Sequence, residues 1–245
     1  MEDLVDYSRQ SQLYEELNIS RSMHSNLNII IGCGGIGYWL GIMLAMFGET
    51  NFILIDGDKI EASNLNRLPV PQTWLTMNKA VALRKSIRHI RPATVITVVS
   101  KHLDKDAELL YSIKKQLGHL NFKIWDCTDD AVIQREIYKM YKNSIGGSYR
   151  KMGYEGLKLG SYEAHGGWMA STYQPGYRTT QSNAITSAMA AGIGIFSMFL
   201  RAPDVNVDLE KLIMGGKYEP EETENEEENE PGDEQEYEPD EADVR

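Results

Sequence analysis

The stretch that decides the fold is "NIIIGCGGIGYWL", residues 28–40. An apolar run enters a loop that holds four glycines among six residues, and an apolar helical pattern follows it. Glycines at such a junction let backbone N–H groups approach an anion, and the N-terminus of the next helix adds favourable dipole charge. The stretch therefore predicts a phosphate-binding loop built from Gly32, Gly34, Gly35 and Gly37.

Predicted strands alternate with predicted helices along most of the chain. Continuous apolar runs typical of strands covered on both faces occupy residues 27–31, 50–58, 94–100 and 121–130. Helical patterns lie between these runs and at both ends, and the glycine-rich stretch 146–178 gives only two short strand-like runs. Such alternation predicts an α/β fold with a doubly wound, mostly parallel, Rossmann-like sheet. Ligands bind beyond the carboxyl ends of the strands in such a sheet.

Charge is distributed very unevenly along the sequence. Residues 219–245 contain fifteen carboxylates and one arginine, a net −14, so the rest of the chain sums to +3 of the total −11. The acidic end has no apolar periodicity and buries too little surface to offset its ordering entropy. We therefore expect a nucleotide-binding globular domain over 1–216 and a disordered acidic tail over 217–245. The tail and the lack of a basic patch disfavour nucleic acid and anionic membranes as partners.

Cysteine content and hydropathy indicate the cellular compartment. Cys33 and Cys127 are the two cysteines of the chain and form no CxxC pair, which excludes a disulfide framework and a four-cysteine zinc site. The N-terminus has no signal-peptide pattern, and the most apolar segment, 184–200, is shorter than a typical membrane span. These features predict a soluble, cytoplasmic protein with no membrane partner.

The strand after the glycine loop ends in two aspartates, Asp56 and Asp58. Asp56 lies nineteen residues after Gly37, where an acid accepts hydrogen bonds from ribose hydroxyls. This combination is common to dinucleotide-binding domains in general. At this point a nicotinamide-dependent oxidoreductase remains an open alternative.

The residues that follow favour a triphosphate over a nicotinamide cofactor. The polar and basic side chains beyond Asp56 are Ser63, Asn64, Asn66, Arg67 and Lys79. Charge that develops on phosphoryl oxygens needs fixed donors and cations, whereas a nicotinamide site has little use for them. "DCTDD" (126–130) then supplies Asp129 at the end of another strand, a hard oxygen ligand suited to Mg²⁺. Residue chemistry therefore predicts a nucleoside triphosphate together with Mg²⁺.

Together these motifs resemble the ThiF/MoeB/HesA family, the adenylating relatives of ubiquitin-activating enzymes. The motifs are Gly-x-Gly-Gly-x-Gly, Asp-x-Asp-x-x-x-x-Ser-Asn-Leu-Asn-Arg, a downstream Lys-Ala, and Asp-Cys-Thr-Asp. "YSRQ" at 7–10 is similar to the Arg-Gln near the N-terminus of that family. The resemblance covers residues 7–135 closely and extends loosely to residue 202.

The resemblance implies a reaction and a set of roles. Members of the family activate a carboxylate, usually the C-terminal glycine of a small ubiquitin-like or sulfur-carrier protein. The carboxylate attacks the α-phosphate of ATP, giving an acyl adenylate and pyrophosphate. Gly35 would lie against the phosphates and Asp56 would hold the ribose. The residues implied to act on the triphosphate are Asn66, Arg67 and Lys79, with Asp129 as the Mg²⁺ ligand and Arg9 reaching the ATP of the partner subunit in a homodimer.

Three positions depart from the family pattern. Leu68 replaces the usual Gln, Asp6 stands where relatives often carry a second arginine, and Asp130 replaces the usual Asn. Asp130 is counted with the nucleotide-binding residues, and its extra acid either assists a metal or weakens ATP binding. The later half has no cysteine that could accept the acyl group, so the resemblance implies adenylation without a thioester step.

Other readings of the same residues stay open. Asp129 could instead cap the next helix, and Arg9 could be an ordinary surface residue. A nicotinamide-dependent oxidoreductase is disfavoured by residues 63–67. A nucleotide-binding scaffold without chemistry is suggested by Leu68, Asp6 and the short C-terminal half.

Overall fold

The computed structural model of the protein describes eight segments of the chain: 6–16, 27–103, 108–117, 121–142, 147–155, 158–163, 182–202 and 204–213. The strands in these segments are β1 (Leu27–Ile31), β2 (Asn51–Ile55), β3 (Val95–Val99), β4 (Phe122–Asp126), β5 (Gly147–Glu155), β6 (Lys158–Tyr162) and β7 (Val205–Asp208). The α-helices are α1 (Ser8–Glu16), α2 (Gly35–Phe47), α3 (Lys79–Ile90), α4 (Glu108–Leu117), α5 (Ala131–Lys142), α6 (Ala184–Phe199) and α7 (Leu209–Ile213). The acidic tail expected over 217–245 lies outside the described residues.

The strands form one sheet in the order β3-β2-β1-β4-β5-β6-β7. β1 to β5 run parallel, whereas β6 pairs antiparallel with both β5 and β7. Strand order reverses between β1 and β4, which is where a doubly wound sheet opens a crevice for ligands. Ile31, the last residue of β1, pairs with Ile55 and with Asp126, so three strand ends lie side by side at this crevice. The predicted mostly parallel, doubly wound sheet is confirmed.

Each face of the sheet has its own apolar core. Successive side chains of a strand point to opposite faces, so Ile30 and Trp125 pack with α2 and α6 on one face, while Ile31 and Ile124 pack on the other. The second face is covered by α4 and α5, which contribute Ile113 and other apolar side chains. None of the helices in the described segments is long and apolar enough to cross a membrane.

Strand β5 was not predicted from the sequence. Its middle carries Arg150 and Lys151, a pair of charges that does not indicate a buried strand, yet both side chains are about 1% exposed. The partners of the Arg150 guanidinium come from outside the strand, because its Nη2 donates to the carbonyls of Ser197 (3.1 Å) and Ala202 (2.8 Å) and contacts Glu163 at 3.2 Å. Partners distant in sequence therefore make this charged strand possible.

A buried ion pair lies at the amino ends of the parallel strands, at the end of the sheet opposite the crevice. Lys123 Nζ is 3.2 Å from Oε1 of Glu49, and Asn28 Nδ2 donates to Oε2 of Glu49 at 2.7 Å. The Lys123 ammonium also lies over the Phe199 ring, 4.4 Å from its centroid. Burial raises the pKa of Glu49 and lowers the pKa of Lys123, and each partner opposes the shift of the other. The pair thus depends on both members being present.

Lys123→Met should destabilise the protein strongly, because it leaves the Glu49 carboxylate buried without its cation. We expect urea unfolding to show a loss of roughly 3–5 kcal/mol. The control is Lys158→Met at an exposed position of β6, which should stay within about 0.5 kcal/mol of the parent. Equal stability of the two variants would contradict the importance of the pair.

Candidate functional site

The glycine loop is tightly packed at Gly32 and Gly37 and has open space at Gly34. Gly32 donates its N–H to the carbonyl of Ile55 (2.9 Å) and has φ +85°, which favours glycine. A Cβ on Gly32 would lie 2.9 Å from the Cys127 carbonyl oxygen, and one on Gly37 would lie 1.9 Å from the Gly32 carbonyl oxygen. A Cβ on Gly34, by contrast, would meet no atom within 4 Å. The loop therefore leaves room beside Gly34, at the N-terminus of α2.

The predicted ribose acid lies directly against this loop. Asp56 Oδ2 accepts the N–H of Cys33 at 2.7 Å, and its Oδ1 accepts the N–H of Asp58 at 2.7 Å. Burial raises the pKa of Asp56, while the two N–H donors and the Lys79 ammonium oppose the rise. Each carboxylate oxygen keeps a further lone pair that a hydroxyl group could use.

Lys79 forms an ion pair with Asp58, which follows the end of β2. Lys79 Nζ lies 2.8 Å from Oδ2 of Asp58, and His102 Nε2 lies 3.5 Å from the other oxygen. Asn78 connects these groups, since its Nδ2 donates to the carbonyls of Asp56 (2.8 Å) and Asp58 (3.0 Å). Its Oδ1 accepts a backbone N–H and so caps α3. The sequence analysis did not identify Asn78 as part of the site. The available signal was an Asn at the start of a predicted helix, a residue type that favours the N-cap position.

Arg67 is held by the turn in which it lies. Its Nη1 donates to the Ser63 carbonyl at 2.7 Å and to Asn66 Oδ1 at 3.0 Å. Trp39 on α2 donates its indole N–H to the Arg67 carbonyl at 2.9 Å, which fixes the turn against the helix that begins at the glycine loop. The structure thus brings Ser63, Asn66 and Arg67 into mutual contact.

Two other residues of this motif, Asn64 and Leu68, are buried and take part in local structure. Asn64 is buried, and its side chain accepts the N–H of Glu61 at 3.1 Å in a capping box around the short 3₁₀ turn Ala62–Asn64. Leu68 is 3% exposed and belongs to the core on the α2 face. A polar side chain is therefore not required at position 68, where the family usually has Gln.

The segment after β4 contains two acids with different surroundings. Asp130 Oδ1 accepts the N–H groups of Val132 (2.8 Å) and Ile133 (3.2 Å), so Asp130 is the residue that caps α5. Asp129 is exposed and does not cap that helix. The alternative use of Asp129 as a cap is thus excluded, and Asp129 lies two residues after Cys127, whose carbonyl lies against Gly32 of the glycine loop.

Arg9 is not brought to the glycine loop of its own chain. Helix α1 docks at the far end of α2, where Gln10 Nε2 donates to the Phe47 carbonyl at 2.6 Å and Tyr14 packs on the Phe47 ring at 4.7 Å. The thirteen residues of α2 separate this end from the glycine loop by about 20 Å at 1.5 Å per residue. The exposed Arg9 side chain is too short to span that distance.

Neither cysteine has the surroundings of a nucleophile. Cys33 is buried in the glycine loop, and burial raises the pKa of its thiol. Burial likewise raises the pKa of Cys127. Reactive thiols instead have lowered pKa values and electropositive surroundings, so both residues fit a packing role.

A glycine loop at the switch point of a doubly wound sheet, with an acid at the end of β2, defines the class of nucleotide-binding α/β domains. The sequence pattern of the ThiF family matches residues 7–199 of this chain. The chain belongs to the ThiF family.

Similarity to curated relatives is moderate and partial. The chain is 32% identical over 132 residues to "Adenylyltransferase and sulfurtransferase MOCS3" of Danio rerio, covering 53% of this chain and 28% of that protein. It is 28% identical over 138 residues to "Molybdopterin-synthase adenylyltransferase" of Escherichia coli, covering 56% of this chain and 53% of that protein. The chain therefore spans about half or less of the length of these relatives.

Solved structures with the same fold include MccB of E. coli. A structure of MccB with ATP superimposes with a TM-score of 0.61 at 16% identity, covering 82% of this chain and 67% of MccB. Another, with AMPCPP and MccA, gives 0.60 at 17% identity, covering 80% and 64%. At this level of sequence identity, the similarity to MccB shows a shared fold alone.

Alanine should destabilise the protein at one glycine of the loop and have little effect at another. Gly37→Ala places a Cβ 1.9 Å from the Gly32 carbonyl oxygen, so α2 and the loop must separate. We expect a loss of about 2 kcal/mol or more in urea unfolding. Gly34→Ala places its Cβ in open space and should change stability by about 0.5 kcal/mol or less. Similar losses in both variants would show that the loop is not shaped as described.

Proposed function

We propose that the protein is an ATP-dependent adenylyltransferase that activates a carboxylate. The substrate in this proposal is the C-terminus of a small ubiquitin-like or sulfur-carrier protein, and the products are an acyl adenylate and pyrophosphate. The observation that supports the proposal is the meeting, at the carboxyl ends of β1, β2 and β4, of an open glycine loop with Asp56, the Lys79–Asp58 pair and the segment after β4 that contains Asp129. Named relatives support it, among them the "Sulfur carrier protein ThiS adenylyltransferase" of E. coli, 26% identical over 137 residues.

The residues at this edge fit a triphosphate with a divalent cation. Space beside Gly34 at the N-terminus of α2 suits a phosphate group, and Asp56 retains acceptor capacity for a ribose hydroxyl. Asp129 is an exposed carboxylate in the segment that follows β4 and would be the Mg²⁺ ligand. When bound, Mg²⁺ would neutralise phosphate charge. Arg67 and Lys79 would add fixed positive charge.

Positioning and charge account for the proposed chemistry without a general base. A C-terminal carboxylate is already ionised at pH 7, so no proton has to be removed before it attacks phosphorus. What this chain supplies is orientation: Asp58 holds Lys79, and Trp39 holds the Arg67 turn. Cations fixed before the reaction stabilise developing charge without reorganising. The raised pKa values of Cys33 and Cys127 support adenylation without a thioester on this chain.

We further propose that the protein acts as a homodimer in which Arg9 completes the site of the partner subunit. Arg9 lies at the end of α2 remote from its own glycine loop, so its role in catalysis requires a second copy. Helix α6, which packs on α2, exposes one apolar stripe suited to such a contact. The stripe consists of Ile185, Met189, Phe196 and Leu200, which are 38–70% exposed. Because both cysteines are free thiols, we propose a cytoplasmic location.

The choice of nucleotide tests the proposal against a nicotinamide-dependent oxidoreductase. Calorimetry should show binding of ATP with Mg²⁺ in preference to NAD, because Arg67 and Lys79 suit a triphosphate. Lys79→Met should weaken ATP binding by about tenfold or more, the cost of losing a charged partner. Lys158→Met is the matched lysine control and should bind ATP as the parent does. Tight NAD binding with none for ATP would refute the proposal.

Mixing two inactive variants tests the role of Arg9. Arg9→Ala and Asp129→Ala should each lose activity by orders of magnitude in ATP–pyrophosphate exchange with the cognate substrate, since the first removes a cation and the second the ligand of the Mg²⁺ that would neutralise phosphate charge. A heterodimer of the two contains one site with an intact Asp129 and the Arg9 of the other subunit. An equal mixture should therefore regain part of the activity. A mixture that stays inactive despite demonstrated subunit exchange would exclude Arg9 acting across subunits.

A further inference from the structure

A second cluster of buried polar groups lies under the segment that carries Asp129. Asp126 ends β4 and pairs in register with Lys151 on β5. Tyr149, two residues before Lys151, points to the same face of the sheet. All three side chains are buried: Asp126 is 0% exposed, Lys151 1% and Tyr149 3%. None of the roles proposed above uses this cluster.

The Asp126 carboxylate holds the segment that follows it. Its Oδ1 accepts both the N–H (3.1 Å) and the hydroxyl (2.7 Å) of Thr128, and its Oδ2 accepts the Tyr149 hydroxyl at 2.8 Å. The Thr128 carbonyl in turn accepts Gln134 Nε2 from α5 at 2.6 Å. Thr128 is therefore fixed from the strand on one side and from the helix on the other.

Charge makes this cluster depend on Lys151. Burial raises the pKa of Asp126, and the Lys151 ammonium is the largest influence that opposes the rise. Burial lowers the pKa of Lys151, and both Asp126 and Asp129 oppose that change. Lys151, opposite Asp126 in the register of β4 and β5, thus opposes the effect of burial on this carboxyl group, whose oxygens accept three hydrogen bonds.

Each residue of segment 127–130 has a separate environment. The Cys127 carbonyl backs Gly32, Thr128 is held by Asp126, and Asp130 caps α5. Asp129 stands between two fixed neighbours and is exposed. The backbone position of Asp129 is therefore set by the groups that hold Thr128 and Asp130.

We propose that Asp126, Tyr149 and Lys151 form a positioning cluster that fixes segment 127–130 so that Asp129 can hold a divalent cation beside the glycine loop. This inference rests on the proposed use of ATP and Mg²⁺ by the protein. The three residues act through Asp129 and do not touch the nucleotide themselves. Outer-shell partners of this kind typically change metal affinity by 10- to 100-fold when they are removed.

The test is the gain in ATP affinity that Mg²⁺ produces, measured by calorimetry with Mg²⁺ and again with a chelator. In Lys151→Met the gain should fall by about tenfold, towards the value of Asp129→Ala, because Asp126 loses its counter-charge and releases Thr128. The direct charge effect has the opposite sign, since removing a cation near Asp129 would by itself strengthen Mg²⁺ binding. A loss therefore supports positioning, whereas an unchanged or larger gain overturns it.

Tyr149→Phe provides a second variant that changes no charge and removes one hydroxyl donor to Asp126. It should lower the same Mg²⁺-dependent gain while ATP affinity in chelator stays as in the parent. The matched control is Lys123→Met, which removes the other buried lysine that faces a carboxylate, at the opposite edge of the sheet. This control should lower the unfolding temperature and leave the Mg²⁺-dependent gain intact.

The outcomes separate the inference from the proposed function. No ATP binding by the parent protein would refute the adenylyltransferase proposal itself. ATP binding strengthened by Mg²⁺ in the parent, and equally in Lys151→Met and Tyr149→Phe, would refute the positioning cluster alone. Equal losses in these variants and in Lys123→Met would likewise refute it, because the effect would then follow stability.

Discussion

The close contact of three backbone segments at the switch point is the constraint on which the rest of the structure depends. Gly32 donates its N–H to Ile55 at the end of β2, and Cys127 donates its N–H to Ile31 at the end of β1. The Cys127 carbonyl lies so near Gly32 that a side chain there would collide with it. These contacts bring together the glycine loop, the end of β2 that precedes Asp56, and the segment after β4 that contains Asp129.

Buried charged groups lie at both ends of the parallel strands, and their contacts differ between the two ends. At the amino ends of the strands, Lys123 and Glu49 pair directly and connect β4 to the residues before β2. At the carboxyl ends, Asp126 accepts hydrogen bonds from Thr128 and Tyr149, and the Lys151 ammonium opposes the rise in its pKa. The first arrangement links separate parts of the sheet, whereas the second holds Thr128 in the segment that follows β4.

The arrangement around the crevice leaves a specific set of groups for a ligand. Asn64 and Asp130 are engaged by the backbone of their own turns, so they are less suited to contact a nucleotide than the sequence indicated. Gly34 has open space beside it, Asp129 is exposed, and the Lys79 ammonium is paired with the carboxylate of Asp58. This division between structural and available polar groups follows from hydrogen-bond geometry, which a motif does not contain.

The sequence by itself determined the parallel core of the fold and the position of the glycine loop and Asp56 after β1 and β2. Apolar runs and glycine spacing predicted β1 and β2 with their crossover, because local periodicity and the lack of a Cβ act within a few residues. It did not determine β5, whose Arg150 and Lys151 are buried only because carbonyls and carboxylates from other elements surround them. The tertiary structure alone decided which acid caps α5 and on which end of α2 Arg9 lies. Those outcomes depend on contacts between residues far apart in the chain, for which the sequence carries no periodic signal.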